Sequence, residues 1–440
     1  LIAAGRDSVE SWGTAGPAPL RIPHLLGKVR APRDKAARVA GTTERSKRGR
    51  ASLFSRGRRR EREIWDDAMK VTIERTALLR ALGHVHRIVE RRNTIPILSN
   101  VLIEAHERQL TLKSTDLDLE ATESAPADVA QAGATTVPAH VIYDIVRKLP
   151  EGAQVGLEMT GEAGQLLLRS GRSRFFLQSL PASDFPDLTA GEFTHRFVLA
   201  AVDLKRLIDN TQFAISTEET RYYLNGIFFH TVEVGGATLL RAVATDGHRL
   251  ARVEIPAPKG AAGMPGVIAP RKAVSEVQKL LEDMAQDVVI EISTTKARFQ
   301  FGDVVLTTKL IDGTFPDYSR VIPTHNDKRL VVDKEPFAKA VDRVSTISSE
   351  RGRAIKLAIA DNKMTLSVNN PDSGSASEEI EVDYDSTPIE IGFNARYLLD
   401  IAGQLSGDTA LIKLSDPGSP TIIQDRDGSA ALYVLMPLRV

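Results

Sequence analysis

From Met69 onward, apolar and polar residues alternate with period two in many short runs, and six longer stretches switch to a period near 3.6. The arrangement returns about every 130 residues, so three copies can be set side by side. Each opens on a short alternating strand (Lys70-Val71-Thr72-Ile73, Arg196-Phe197-Val198-Leu199, Arg329-Leu330-Val331-Val332). An amphipathic helix follows in each, predicted over residues 77–90, 203–214 and 336–348. Strand pairs come next, at Leu110-Thr111-Leu112, Leu239-Leu240-Arg241 and Met364-Thr365-Leu366, turning at Thr115-Asp116, Thr245-Asp246 and Asn369-Asn370. A second helix is predicted over residues 139–149, 271–283 and 395–405, and strands over 166–180, 297–310 and 421–438 close each copy. Asp184-Phe185-Pro186-Asp187 and Thr314-Phe315-Pro316-Asp317 both read as a proline-containing exit from a strand. Many short strands with two helices per copy indicate three α+β domains, over residues 69–192, 193–327 and 328–440, rather than a parallel doubly wound sheet.

Composition narrows the class. The 440 residues are 42% hydrophobic and contain no cysteine, which removes disulfides, thiolate zinc sites and cysteine nucleophiles. No apolar run approaches the roughly 20 residues of a membrane span, and no signal-peptide pattern opens the chain, so a soluble, cytoplasmic protein without membrane partners is expected. The zero net charge hides a split: residues 1–68 hold 16 Lys and Arg against 8 Asp and Glu, leaving 41 against 49 in the remainder. That opening segment, with Arg56-Gly57-Arg58-Arg59-Arg60 and four prolines among its residues, lacks hydrophobic periodicity and reads as a disordered basic extension. It is either a nucleic-acid arm or sequence upstream of a functional product that begins at Met69, and the abrupt onset of a periodic fold there favours the second.

Within the acidic remainder, positive charge recurs on the helices. Leu78, Leu82, Val85 and Val89 take core spacing on the first, while Arg80, His84, Arg87 and Arg91 recur at i, i+4, i+7 and i+11. The other five carry Arg147 and Lys148; Lys205 and Arg206; Arg271, Lys272 and Lys279; Lys339 and Arg343; and Arg396. Singly, each is an ordinary solvated face. Their recurrence on equivalent elements suits contact with duplex phosphates without base reading.

Motifs for catalysis are missing: there is no phosphate loop, dinucleotide fingerprint, paired-His zinc helix or nucleophile elbow, so no cofactor, metal or enzymatic activity is expected. His84 and His86, two apart on a helix, point to different faces. Asp116, Asp118 and Glu120 alternate with Leu117 and Leu119, the pattern of a strand's wet side more than of a metal cluster. Thr245-Asp246-Gly247-His248-Arg249 offers an acid/base pair in Asp246 and His248, the basis of a hydrolase alternative, but Asp246-Gly247 is equally a hairpin turn. Tyr222 and Tyr223 follow a polar stretch, residues 216–220, that reads as an exposed loop.

Six ordered segments then carry a resemblance: Thr94-Ile95-Pro96-Ile97-Leu98-Ser99-Asn100, Arg169-Ser170-Gly171-Arg172-Ser173-Arg174-Phe175, Arg221-Tyr222-Tyr223-Leu224-Asn225-Gly226, Ala244-Thr245-Asp246-Gly247-His248-Arg249-Leu250, Gly313-Thr314-Phe315-Pro316-Asp317-Tyr318 and Tyr433-Val434-Leu435-Met436-Pro437-Leu438-Arg439-Val440. From Met69 to Val440 the chain resembles the bacterial DNA sliding clamp family, the beta subunit of DNA polymerase III. The resemblance implies a non-catalytic ring made by a head-to-tail homodimer, helices inside and antiparallel sheets outside, that encircles double-stranded DNA and confers processivity. Taken with the helix faces, it places DNA contacts at Arg80, Arg92, Arg147, Lys205, Tyr222, Tyr223, Arg271 and Lys272. Glu218 and Glu219 stand in the loop before the tyrosines where the family pattern is neutral, which weakens the expectation of contact there. Subunit edges are implied at Arg172, Arg174, Phe175 and Leu177 on one side, and Ile347, Glu378, Glu379 and Glu381 on the other. A groove for short partner peptides with apolar anchors is implied at Leu224, Thr245, Gly247, His248, Arg249, Leu250, Pro316 and Val321, with Val434, Leu435, Met436, Pro437, Leu438 and Arg439. Its occupants would be polymerase subunits, the clamp loader and repair factors.

Overall fold

The computed structural model describes residues 69–159, 164–188, 191–349 and 353–440; the basic opening segment lies outside the described residues. One element order recurs three times. The first set is β1 (Lys70–Glu74), α1 (Arg75–Val85), β2 (Asn100–His106), β3 (Gln109–Thr115), β4 (Leu119–Pro126), β5 (Asp128–Gln131), β6 (Gly133–Pro138), α2 (Ala139–Lys148), β7 (Gln154–Met159), β8 (Gln165–Ser170) and β9 (Ser173–Gln178). The second is β10 (His195–Leu199), α3 (Ala201–Gln212), β11 (Gly226–Val234), β12 (Ala237–Thr245), β13 (Arg249–Pro256), β14 (Val267–Pro270), α4 (Arg271–Asp283), β15 (Val288–Ile292), β16 (Lys296–Phe301) and β17 (Val304–Lys309). The third is β18 (Lys328–Asp333), α5 (Lys334–Ser345), β19 (Ala354–Ala360), β20 (Lys363–Asn370), β21 (Gly374–Glu381), β22 (Asp383–Tyr384), β23 (Ile389–Asn394), α6 (Ala395–Ala402), β24 (Thr409–Leu414), β25 (Thr421–Gln424) and β26 (Ala431–Leu435).

These are three similar α+β domains, and every strand pair between named strands is antiparallel. The helices pack as pairs, α1 with α2, α3 with α4 and α5 with α6, each laying an apolar stripe on the sheets. On α1 that stripe is Leu78, Ala81, Leu82 and Val85, all fully buried, each larger residue contributing about 1.5–3 kcal/mol. The first helix is shorter than its sequence pattern suggests. It gives way after Val85 to a 3₁₀ turn, His86–Ile88, leaving Arg91 beyond the helix.

Sheets run across the domain boundaries. β4 pairs with β17, Ala121 facing Leu306, and β13 pairs with β26, Ala251 facing Tyr433. Each junction therefore joins the third strand of a domain's first half to the last strand of the next domain. That rule leaves one strand of each kind without a partner: β9 ends a five-stranded sheet and β21 ends a four-stranded one.

The junction between the first two domains is strapped by their connector. Leu188 donates its backbone N–H to Glu120 Oε2 at 3.1 Å, and Lys296 Nζ donates to the Leu188 carbonyl at 2.5 Å. Glu120 is 1% exposed and its Oε1 accepts no hydrogen bond. This overturns the reading of Asp116, Asp118 and Glu120 as a strand's wet side: Asp116 caps a turn, and only Glu120 lies in β4, facing inward. Burial raises the Glu120 pKa, against the opposing pull of Lys113. A raised folded-state pKa favours the neutral acid, a contribution complete below the unfolded-state value and lost as pH climbs through the folded one. Glu120→Gln keeps the acceptor for Leu188 and removes the buried charge. It should raise the melting temperature above neutral pH, with the gain shrinking as the pH falls through the raised folded-state value toward the ordinary glutamate range, as thermal denaturation across pH would show.

Candidate nucleic-acid interface and partner groove

Much of the recurrent positive charge on the helices is already paired. Arg80 lies 3.5 Å from Glu123, Arg87 3.7 Å from Asp283, Arg147 3.2 Å from Asp144 and Lys205 2.5 Å from Asp209. Lys279, Lys339 and Arg343 pair with Glu276, Glu335 and Glu378. Burial opposes the charge on Lys272, yet bonds to Asp116 and Glu90 hold its pKa above the usual lysine value. His84 does not belong to a basic face at all: it is buried, with Nδ1 2.7 Å from Glu123 Oε2. Arg91, Arg92, Lys148, Arg206, Arg271 and Arg396 make no ion pair among the described residues. Sequence spacing shows where a charge sits on a helix but not which acidic neighbour the fold brings to it.

Tyr222 and Tyr223 sit on a 3₁₀ turn, Glu219–Leu224, with Tyr222 53% exposed and the two rings edge to face at 5.8 Å. Glu218 does not stand as a free repelling charge beside them. Arg221 grips both its carboxylate oxygens, at 2.6 and 2.7 Å, and these bonds hold the Glu218 pKa below the ordinary glutamate range. The same guanidinium donates to the Asp246 carbonyl at 2.9 Å. It thereby ties the tyrosine loop to the Thr245-Asp246-Gly247-His248-Arg249 turn.

That turn is structural. Asp246 Oδ1 accepts from the backbone N–H of His248 and Arg249, and Thr245 Oγ1 donates to the Arg249 carbonyl. The first domain repeats these bonds with Asp116 and Thr115. Asp246 Oδ2 goes to Arg249 Nε rather than to the His248 ring, so the acid/base pair considered from sequence is not assembled. Gly247 is favoured here on two counts: its φ is +88°, and a Cβ would meet Arg221 Nη1 at 2.5 Å, so the Arg221 side chain would have to shift.

The sequence-derived groove residues fall into two groups. Leu224, Leu250 and Val434 belong to an apolar cluster on the face of the nine-stranded sheet opposite the helices, where Val243, Phe315, Tyr318 and Leu432, not assigned to the groove from the sequence, join them. Val321 and Met436 are exposed at its rim. His248, Met436, Pro437, Leu438 and Arg439 line an adjoining cleft with Ala354, Asn394 and Tyr397. Asn394 and Tyr397 are additions: Asn394 signals only as the cap of α6, accepting from the backbone N–H of Arg396 and Tyr397, and nothing in the sequence brings either to the C-terminal segment. Arg249 is not an open wall. It bonds Asp246, Asp400 Oδ2 at 2.5 Å and the Phe213 carbonyl at 2.6 Å, and lies 4.3 Å from the centre of the Tyr397 ring. Leu435 is buried in the main core, on the other face.

At the free strand edges, Arg172 and Arg174 are exposed and unpaired among the described residues. Arg174 stands directly opposite Arg169, two like charges across one hairpin. Phe175 and Leu177 pack on the core, whereas Phe176, absent from the sequence reading, is 59% exposed. On β21, Glu378 and Glu379 pair with Arg343 and Lys363, and Ile347 is half-buried nearby in sequence to α5. Among the described residues no group of three or more His, Asp or Glu side chains is arranged to hold a metal, and no helix is long and apolar enough to cross a membrane.

Three edge-joined domains, with helices on one face and an apolar groove on the other, have the architecture of a DNA clamp. Family models for the N-terminal, central and C-terminal domains of the DNA polymerase III beta subunit match residues 69–189, 199–317 and 319–439. The beta sliding clamp of Caulobacter vibrioides is 55% identical over 372 residues, covering 84% of this chain and all of the relative; that of Escherichia coli K12 is 39% identical over 373, with the same coverage. Among solved structures, a sliding clamp from Bartonella birtlesii bound to griselimycin shares 57% identity at a TM-score of 0.82, covering 85% of this chain and all of that one. A Caulobacter crescentus clamp shares 55% at 0.84, with the same coverage. The chain belongs to the DNA polymerase III beta subunit family, the beta sliding clamps. Its function is that of a DNA clamp, tethering the polymerase for processivity without catalysis of its own.

Proposed function

We propose that two copies join head to tail through β9 of one and β21 of the other, closing a ring of six domains around duplex DNA. The observation that carries this is the strand rule at the two internal junctions, which leaves one complementary edge at each end of the chain. Transferring the β4–β17 register sets Glu378 opposite Ser173, Ser377 opposite Arg174 and Ala376 opposite Phe175. Arg174 then has Glu379 on its diagonal, which gives the repelling Arg169–Arg174 pair an acidic neighbour. A heterologous interface of this kind makes a closed object when its rotation closes.

In this reading the domains span residues 69–192, 193–327 and 328–440, and the helices face the DNA. Arg92, Arg271, Tyr222 and Tyr223 are its leading contacts, since the charges of Arg80, Arg147, Lys205 and Lys272 are shared with carboxylates. Phosphate contacts of this modest number permit sliding, and linkage replaces affinity. The groove holds short apolar peptides of polymerase subunits, the clamp loader and repair factors in the cytoplasm, raising their local concentration at the primer end. The test is retention after loading: clamps should persist on closed circular DNA and run off the same DNA once linearised. Equal retention on both would overturn encirclement.

A further inference from the structure

The outer face of the nine-stranded sheet does not stay apolar beyond the groove floor. On β13, Arg252 and Glu254 follow Leu250 on the same face, and on β12 Arg241 precedes Val243. The register sets Arg252 against Val243 on one side and Leu432 on the other, with Arg241 against Glu254. Arg252 is thus one same-face step, about 7 Å along the strand, from Leu250.

Two arginines share one carboxylate oxygen here. Arg241 Nε donates to Glu254 Oε2 at 2.6 Å and its Nη1 to the Tyr318 hydroxyl at 3.3 Å, while Arg252 Nε stands 4.0 Å from the same Glu254 oxygen. The Arg252 side chain is only 17% exposed, yet it makes no hydrogen bond among the described residues, and its Nε is buried without a partner. His230, bonded to the Tyr318 hydroxyl at 3.0 Å, adds no negative charge. A half-buried cation with its donors unused is costly unless something supplies an acceptor.

We propose that Arg252, beside Arg241, forms an acid-reading subsite at the end of the groove, taking a carboxylate side chain next to the apolar anchor of a docked partner peptide. The inference rests on the peptide-groove reading. The guanidinium fork matches a carboxylate in two parallel bonds, and low local polarity strengthens them. The groove floor selects apolar anchors; the subsite adds a requirement for an acidic neighbour, which separates partners that share the anchors.

The probes are fluorescein-labelled decapeptides carrying a leucine anchor, with a single Asp walked through the flanking positions and an Asn twin for each. At one position the Asp peptide should bind the full chain about tenfold tighter than its twin. That preference should vanish in Arg252→Gln, survive in part in Arg252→Lys, and be untouched in Arg108→Gln, on an exposed turn of the first domain. Circular dichroism of each variant separates lost recognition from lost fold, and the lysine variant carries the test if glutamine unfolds the domain. Equal binding of Asp and Asn twins at every position, or a preference that persists in Arg252→Gln, overturns the subsite while leaving the groove intact. Failure of every peptide to bind overturns the groove reading and the subsite with it.

Discussion

Phe176→Pro is expected to yield a monomer that folds normally and is not retained on circular DNA. Ser170 and Ser173 close a two-residue hairpin whose first central residue, Gly171, has φ of +55°. The closing pair exchanges hydrogen bonds within the hairpin, so residues 173, 175 and 177 bond inward and the N–H groups of 174, 176 and 178 face the open edge. The equivalent strand follows this: Lys309, last in β17, donates its N–H across the junction to the Asp118 carbonyl at 2.8 Å. Proline at 176 therefore removes no bond within the chain, which is where an edge strand tolerates it. It does remove a donor from the proposed intersubunit ladder, deletes an exposed aromatic and puts a ring where the second strand must approach. A loss of about 3 kcal/mol, on the order of 100-fold in dimer affinity, is expected. Sedimentation velocity should show half the mass, with thermal unfolding of the subunit little changed. A variant that still sediments as a dimer would contradict the proposed edge pairing.

Arg249→Ala should have the largest effect on stability. One guanidinium joins the second domain to the third: it bonds Asp246 in its own turn, Asp400 on α6 and the Phe213 carbonyl after α3, and it covers the Tyr397 ring. The side chain is 10% exposed, so its removal leaves two carboxylates short of their cation and a buried carbonyl without a donor. A destabilisation of about 2–4 kcal/mol is expected in urea denaturation. Adding Asp400→Asn should recover part of it, because one of the uncompensated charges is then gone; full additivity of the two changes would show that they do not act through one network. Because the network holds the His248 turn beside Tyr397, peptide binding in the proposed groove should weaken along with stability.

The two acid-containing turns show how far sequence reasoning reached. Thr245-Asp246-Gly247-His248-Arg249 could be a hairpin turn or an acid/base pair by residue type alone. The structure decides for the turn, because Asp246 spends one oxygen on two backbone N–H groups and the other on Arg249. Its counterpart in the first domain was legible as a turn at Thr115-Asp116 but carries no turn glycine, because Leu117 occupies the left-handed position that Gly247 fills in the second, with φ of +80°. Likewise, the basic stripe on α1 was legible as spacing, whereas the burial of His84 against Glu123 depends on β4, some forty residues later.

By itself, the sequence determined what is periodic and local: three α+β copies, the apolar stripe of each helix, the absence of cofactor motifs and, through six ordered segments, the family. These follow from alternation and helical spacing, which act over a few residues. Tertiary structure alone decided which charges are free, which strand edges lack partners, and that Asn394, Tyr397 and Arg252 adjoin the groove. Each of those depends on residues far apart in the chain meeting across a sheet or a domain junction, and no local pattern of side chains encodes that distance.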